Sequence, residues 1–456
     1  VKLTIDNVST TVETDEDELG WLREYLTYEV PGYDPRSRKR YVERYCSLSR
    51  ERFPSGLVEM VEVAAAEDEG FYVERVDKRN RPTDEFREDR LGWLYDYQLK
   101  GVRAAHRSTR GILSLATGSG KTEIGIGLSL AIPVKWLFLV DSKDLMYQTA
   151  ARYHNRTGLV AGTIGDGRWG EYPGHGVSGL NCATFQTLYR HLDDERTQRL
   201  LASTGGLIVD EAHTLPASTF WRVSQACGAY WRLGLSATPL DREDRRSILT
   251  VAALGPIIYR VPPQDLIAAG AVARPRITMV PYQHPRPTPG SRRKWDKVYR
   301  DGVSRNAHRN RFTASVVVRA AKPSLVFVKH TKHLFSLQAA LQQEGLVTEV
   351  AHGKHSSWKR RETMEAANRG DVDAVVCTVV FQKGIDIPEL RSVVNAAAGR
   401  SAIASLQRLG RGMRNTPSKD EFELWDIADE GDPMLEKHSR TREKTYRDEG
   451  YEVRRA

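Results

Sequence analysis

From Gly111 to about Leu240, short apolar runs alternate with longer stretches of helical periodicity. The runs are Ile112-Leu113-Ser114-Leu115, Trp136-Leu137-Phe138-Leu139-Val140, Leu207-Ile208-Val209 and Leu233-Gly234-Leu235. Strands with no polar alternation are buried on both faces, so the pattern predicts a parallel sheet covered by helices on each side. A second set follows at Leu325–Val328, Val347–Val350, Ala374–Cys377, Ser392–Asn395 and Phe422–Trp425. Two α/β domains in tandem are therefore expected, with the proline-rich run from Pro281 to Gly290 as an exposed connection between them.

The first ninety or so residues lack this alternation and predict a separate small α+β domain that ends near the polar stretch Asp77 to Asp89. It opens acidic (Glu13, Asp15, Glu16, Asp17, Glu18) and turns basic (Arg36, Arg38, Lys39, Arg40, Arg44). The expected domains are residues 1–88, 89–265 and 266–456. At the far end, Met434 to about Arg447 reads as a charged, solvated capping helix.

Two short segments carry chemistry. Directly after the first apolar run comes Ala116-Thr117-Gly118-Ser119-Gly120-Lys121-Thr122, and directly after Leu207–Val209 comes Asp210-Glu211-Ala212-His213. Glycines let backbone N–H groups approach phosphate oxygens, Lys121 supplies charge to the β/γ-phosphates of a nucleoside triphosphate, and the Thr122 hydroxyl reaches Mg²⁺. A buried strand ending in Asp-Glu adds two carboxylates at the edge of the same sheet. Asp210 can hold the metal through water, and Glu211 can orient and deprotonate the attacking water.

The 456 residues have room for about three domains of ordinary size. Lys and Arg number 68 against 59 acidic residues, a formal charge of +9 that favours a polyanionic partner. Cys46, Cys182, Cys227 and Cys377 are scattered without zinc-ligand spacing and read as reduced thiols. No run approaches a membrane span and no signal-peptide pattern opens the chain, so a soluble cytoplasmic protein is expected.

The variant A-T-G-S-G-K-T, with Leu115 where the strict phosphate loop has glycine, followed by D-E-A-H, resembles motifs I and II of superfamily 2 helicases and translocases. The remaining signatures follow in order. Tyr95-Asp96-Tyr97-Gln98 resembles the adenine-reading element, in which the Gln98 amide offers both donor and acceptor. Val140–Lys143 and Ala183–Leu188 look like motifs Ia and Ic, which implies backbone-phosphate contacts by Lys143, Gln186 and Thr187. Ser236-Ala237-Thr238 resembles motif III. Thr378 to Pro388 resembles motif V, which implies Gly384 and Asp386 at the nucleotide, Thr378 at a phosphate and Phe381 at a base or sugar. Gln407 to Arg414 looks like motif VI. Its Gln407, Arg411 and Arg414 are expected at the catalytic centre, the two arginines reaching the γ-phosphate from the second domain.

Within the superfamily the chain is similar to the UvsW-type phage recombination helicases, near the XPB-like and RecG-like motors. Ile164-Gly165-Asp166-Gly167, Leu266–Gly270 and Val380-Phe381 support that branch, as do Trp21–Leu26, Pro31-Gly32-Tyr33 and Pro54–Val58 at the front. The expected Trp-Asp-Gly turn is replaced around Arg40–Glu43, while Arg36, Arg38, Lys39 and Arg40 are candidates to hold duplex phosphates. The resemblance implies two RecA-like domains and an ATP- and Mg²⁺-dependent motor on branched DNA in a bacterial or phage-infected cell. Recombination or single-strand-binding proteins would be its protein partners, with no oligomer required. An RNA helicase, the motor subunit of a restriction or defence complex, and a non-motor scaffold are the competing readings.

Overall fold

A computed structural model describes residues 1–33, 40–69, 72–116, 118–172, 179–237, 239–240, 246–285, 295–353, 355–378, 387–400 and 421–456. The chain divides into two compact units, Val1–Leu115 with Gly120–Val261, and Ala116–Ser119 with Pro262–Ala456. Among the described residues, no helix is long and apolar enough to cross a membrane.

The front of the first unit is a sheet of β1 (Lys2–Ile5), β2 (Ser9–Glu13), β5 (Arg52–Pro54) and β6 (Glu74–Asp77), in the order β5-β2-β1-β6. A separate hairpin pairs β3 (Thr27–Tyr33) with β4 (Arg40–Cys46). The helix Glu16–Tyr25 begins where the Asp15 carboxylate accepts the Glu18 amide at 2.9 Å, which satisfies one of the amides a helix start leaves open. Leu3, Ile5, Val12, Leu22, Phe53 and Leu57 are buried in the same hydrophobic core as Ile112, Val251 and Leu254. Polar ties reinforce the seam: Arg110 Nη2 donates to Asn7 O (2.7 Å) and Asn7 Nδ2 to Gly228 O (2.8 Å). The front segment thus has its own sheet but shares its core with the α/β layer behind it.

That layer is built on β7 (Arg110–Leu115), β8 (Lys135–Val140), β9 (Gly162–Gly165), β10 (Arg168–Gly170), β11 (Gly179–Thr184), β12 (Gly206–Asp210), β13 (Trp231–Ser236) and β14 (Ile257–Val261). Their order is β10-β9-β11-β8-β12-β13-β7-β14, parallel throughout except for the β9–β10 hairpin. The helix Lys121–Ala131 is buried along Ile124–Ala131. It lies close to the sheet because Gly125 carries no side chain: a Cβ there would stand 2.5 Å from the Phe138 ring.

The second unit carries β15 (Arg274–Gln283), β16 (Ser324–Val328), β17 (Thr348–Ala351), β18 (Ala374–Thr378), β19 (Ser392–Asn395), β20 (Glu421–Glu430) and β21 (Val453–Arg455). They form a wholly parallel sheet ordered β17-β18-β16-β19-β20-β15-β21. The protein therefore contains two RecA-like domains: the alternation predicted two tandem α/β units, and the motif resemblance implied their RecA-like kind.

Two expectations for this unit are corrected. The supposed exposed connection begins inside the sheet: Pro281 pairs with Ala428, and Tyr282 and His284 are buried. The pairing with β21 ends at Met279, so among the described residues Pro281 lies beside a single partner strand, the edge setting in which a sheet tolerates proline. The closing helix, Pro433–Asp448, is not merely solvated. It buries Leu435, Ser439, Arg442 and Tyr446, and the chain beyond it returns to the sheet as β21.

Candidate nucleotide site and nucleic-acid face

Parallel strands place their carboxyl ends along one rim, and the loops leaving those ends are where a doubly wound sheet binds ligands. β7 leads into the glycine loop, β12 ends at Asp210, and β13 ends at Ser236. Gly118 and Gly120 both adopt positive φ (91° and 75°), backbone that an L side chain rarely takes. Gly120 has a second reason to be glycine, since a Cβ there would meet Gln98 Nε2 at 2.5 Å. Glu123 and Ile124 donate their amides back to Gly120 O, so the helix proper starts at Lys121 with its amino end at the loop.

Lys121 Nζ stands 4.0 Å from Glu211 Oε1. Glu211 is itself in the left-handed region (φ 47°, ψ 54°), a strained conformation of the sort that concentrates at functional sites. Its Oε2 is buried without a hydrogen bond, and His213 Nδ1 lies 3.4 Å away. The same His213 Nδ1 is 3.1 Å from Ser236 Oγ. An ammonium facing a carboxylate whose second oxygen is orphaned suits an anion beside Lys121 and a water beside Glu211. These residues fit Mg²⁺ and ATP. Among the described residues no three His, Cys, Asp or Glu side chains gather as a metal cage. A Mg²⁺ here would rest on Thr122 and Asp210 together with phosphate and water oxygens, the usual habit of that ion.

Gln98 is the third residue of the helix Asp96–Ser108 and is buried rather than solvated. Its Oε1 accepts the Tyr95 amide (3.1 Å), and its Nε2 reaches toward Tyr97 Oη (3.4 Å). Burial pushes the Tyr97 hydroxyl up to about 12.

Farther along the same rim, β8, β9 and β11 end together. Gln186 Nε2 donates to Asp141 O (2.9 Å), and the Thr184 hydroxyl donates to that of Thr187 (2.9 Å). Lys143 opens the helix Lys143–Thr157, with its ammonium paired to Asp166 Oδ1 at 3.0 Å. Lys143, Gln186 and Thr187 therefore share one face of the first unit. In the second unit Thr378 is buried at the end of β18. Thr117, Phe381, Gly384, Asp386, Gln407, Arg411, Arg414, Arg36, Arg38 and Lys39 lie outside the described residues, as does the Arg40 side chain.

The sequence reading missed two partners. His213 entered only as a letter of the tetrad, although it bridges Glu211 and Ser236. Asp166 entered only as part of a Gly-Asp-Gly marker, and that spacing was the available signal: Asp166 takes φ 53° between two glycines, which aims its carboxylate at Lys143.

The two parallel sheets, with a glycine loop and paired carboxylates on the rim of the first, put the chain among the tandem RecA-like proteins. Residues 87–241 match the family described as Type III restriction enzyme, res subunit, and residues 311–416 match the Helicase conserved C-terminal domain. The chain belongs to the superfamily 2 helicases. It is 23% identical over 362 residues to the DNA 3'-5' translocase XPB2 of Sulfurisphaera tokodaii, covering 70% of this chain and 78% of that one. It is 27% identical over 382 residues to the DNA 3'-5' helicase XPB of Kineococcus radiotolerans, covering 80% and 64%. The chain spans 50% to 78% of the length of the first curated relatives it matches. Among solved structures, the Type ISP restriction-modification enzyme LlaBIII bound to DNA covers 87% of this chain and 34% of its own, with TM-score 0.58 and 15% identity, a likeness of fold. T4 UvsW covers 100% and 99%, but at TM-score 0.45 and 19% identity it carries no argument for closer kinship.

Proposed function

We propose that this protein is an ATP-dependent DNA translocase or helicase of the DEAH subtype and the UvsW-type branch. Its substrates on this reading are branched DNAs, through junction migration, fork regression or unwinding of D-loops and R-loops. The observation that carries the proposal is the row Lys121–Glu211–His213–Ser236 on the same sheet rim as Lys143, Gln186 and Thr187. Domain limits of 1–88, 89–265 and 266–456 go with it, as do a cytoplasmic location and recombination or single-strand-binding proteins as partners.

Bound Mg²⁺ and ATP supply the phosphoanhydride and the charge that screens it. The chain's own residues do the rest. Lys121 offsets negative charge at the phosphates, while Thr122 and Asp210 hold the ion. Glu211 Oε2, buried, without a hydrogen bond and 3.4 Å from His213 Nδ1, is placed to take a proton from water. Gln98, wedged against Gly120, fixes the approach to the loop and reads the adenine. Arg411 and Arg414 are the sequence's candidates for the γ-phosphate. The match to a restriction-enzyme res subunit favours a second reading, a motor subunit that works with a nuclease partner.

The test is the steady-state ATPase rate with no nucleic acid, single-stranded DNA, duplex DNA, a four-way junction and RNA, with Glu211→Gln as the blank. Stimulation greatest with junction DNA is expected. Stimulation by RNA alone would replace the DNA motor with an RNA helicase, and no stimulation by any of them would favour the partner-dependent motor subunit.

A further inference from the structure

Immediately after β19 the second unit turns three carbonyls toward two buried guanidiniums and a half-buried imidazole. Arg309 Nη1 donates to Ala396 O (3.2 Å), His438 Nδ1 lies 3.3 Å from Ala398 O, and Arg442 Nη1 donates to Gly399 O (2.8 Å). Ala398 between them has φ 52°, a conformation that a non-glycine residue keeps only when its surroundings impose it.

The guanidiniums are anchored from behind. Asp426 accepts Arg442 Nε through both oxygens (3.1 Å each) and Arg442 Nη2 through Oδ1 (2.7 Å). It also accepts Tyr446 Oη and Asn395 Nδ2, each at 2.8 Å. Asp429 accepts Arg309 Nε (2.6 Å) and Nη2 (2.9 Å), with His284 Nε2 at 2.9 Å. Arg309, Arg442, Asp426 and Asp429 are fully buried.

Two buried ion pairs do not justify themselves by stability, because desolvation cancels most of the Coulomb gain and apolar replacements are often neutral. What an apolar core could not supply is donors for the carbonyls of Ala396, Ala398 and Gly399. A planar five-donor guanidinium supplies them in fixed directions. The segment so held runs directly into residues 401–420, which carry Gln407, Arg411 and Arg414.

We propose that Arg442, braced by Asp426 and Tyr446, is a positioning residue for Arg411 and Arg414: by holding Gly399 it fixes the point from which their segment departs. His438 and Arg309 serve the same end at Ala398 and Ala396. The inference rests on the proposed role of Arg411 in hydrolysis.

The test is a double-mutant cycle in the full chain, read as DNA-stimulated ATPase. Arg442→Lys keeps the charge but loses the fork. It should lower kcat on the order of tenfold, as a small misplacement does, with KM for ATP within about twofold. In an Arg411→Ala background the same change should cost nothing further, whereas a merely structural loss would multiply. If Arg411→Ala lowers kcat and Arg442→Lys lowers it again by the same factor, the positioning role is overturned and the site reading stands. If Arg411→Ala leaves kcat unchanged, both fall. Should Arg442→Lys lower the melting temperature sharply, His438→Leu, which removes the ring nitrogen facing Ala398 O and the ring packed on Trp295 from a half-buried position, reads the same coupling.

Discussion

His213 Nδ1 stands 3.1 Å from Ser236 Oγ and 3.4 Å from Glu211 Oε2, so a single imidazole joins the end of β13 to the carboxylate beside Lys121. Such a bridge can carry a change at the end of β13 to the Glu211 carboxylate, a role in communication rather than in turnover. His213→Ala should therefore keep basal ATP hydrolysis within about threefold while losing most of its stimulation by DNA. The ratio of stimulated to basal rates checks this. A proportional fall in both would make His213 part of the hydrolytic centre itself.

Gly120 is fixed by conformation and by a neighbour at once. Gly120→Ala must hold φ near 75° with a methyl group against Gln98 Nε2, 2.5 Å from where the Cβ would stand. Left-handed backbone alone costs about 1–2 kcal/mol for an alanine. ATP affinity should fall at least tenfold by fluorescent-nucleotide titration. Adding Gln98→Ala removes the clash but not the backbone strain, so the double variant should recover only part of the loss.

How far the sequence foretold this site depends on burial. The strands that carry it were visible because their apolar runs have no polar alternation, and the loops at their ends followed from chain order. Arg442 was hidden for the converse reason. Leu435, Ser439, Arg442 and Tyr446 form a buried stripe at helical spacing, and a stripe whose members include a serine and an arginine reads as a solvated face. Pro281 was misread because a proline breaks a ladder only where a partner strand demands its N–H. Gln98, by contrast, packs close against Gly120, a contact no local pattern announces.

Lys143 is already paired in the free protein, so a DNA phosphate that engages it must displace Asp166. The pair is half exposed and is worth only a fraction of a kcal/mol up to about 1 kcal/mol. Asp166→Asn should tighten DNA binding by up to about fivefold at low salt, the size of that pair. Lys143→Ala should weaken binding to all sequences alike and reduce the slope of log affinity against log salt by about 1. An unchanged slope would remove Lys143 from the nucleic-acid face.

His333 sets an acid limit on the second unit. Its Nδ1 accepts the Tyr299 hydroxyl at 2.7 Å, its Nε2 meets Asn310 Oδ1 at 3.0 Å, and it is fully buried. Burial, followed by the nearby Arg309 charge, pushes it down to about 3. Because the folded value lies below the unfolded one of 6.5, the unfolded chain binds the extra proton between those limits. Stability should be intact above pH 6.5 and decline as pH falls toward 3, by about 2 kcal/mol at pH 5. Asp429 titrates lower. Burial alone would raise it, but Arg309 and His284 outweigh burial and hold it down at about 2, so its loss falls below pH 3.8. The two windows separate in urea melts at pH 7.5 and 5: His333→Asn should cost stability at pH 7.5 yet lose little more at pH 5, while the parent chain loses about 2 kcal/mol over the same step. An equal decline in both would show that the imidazole is not the group that titrates.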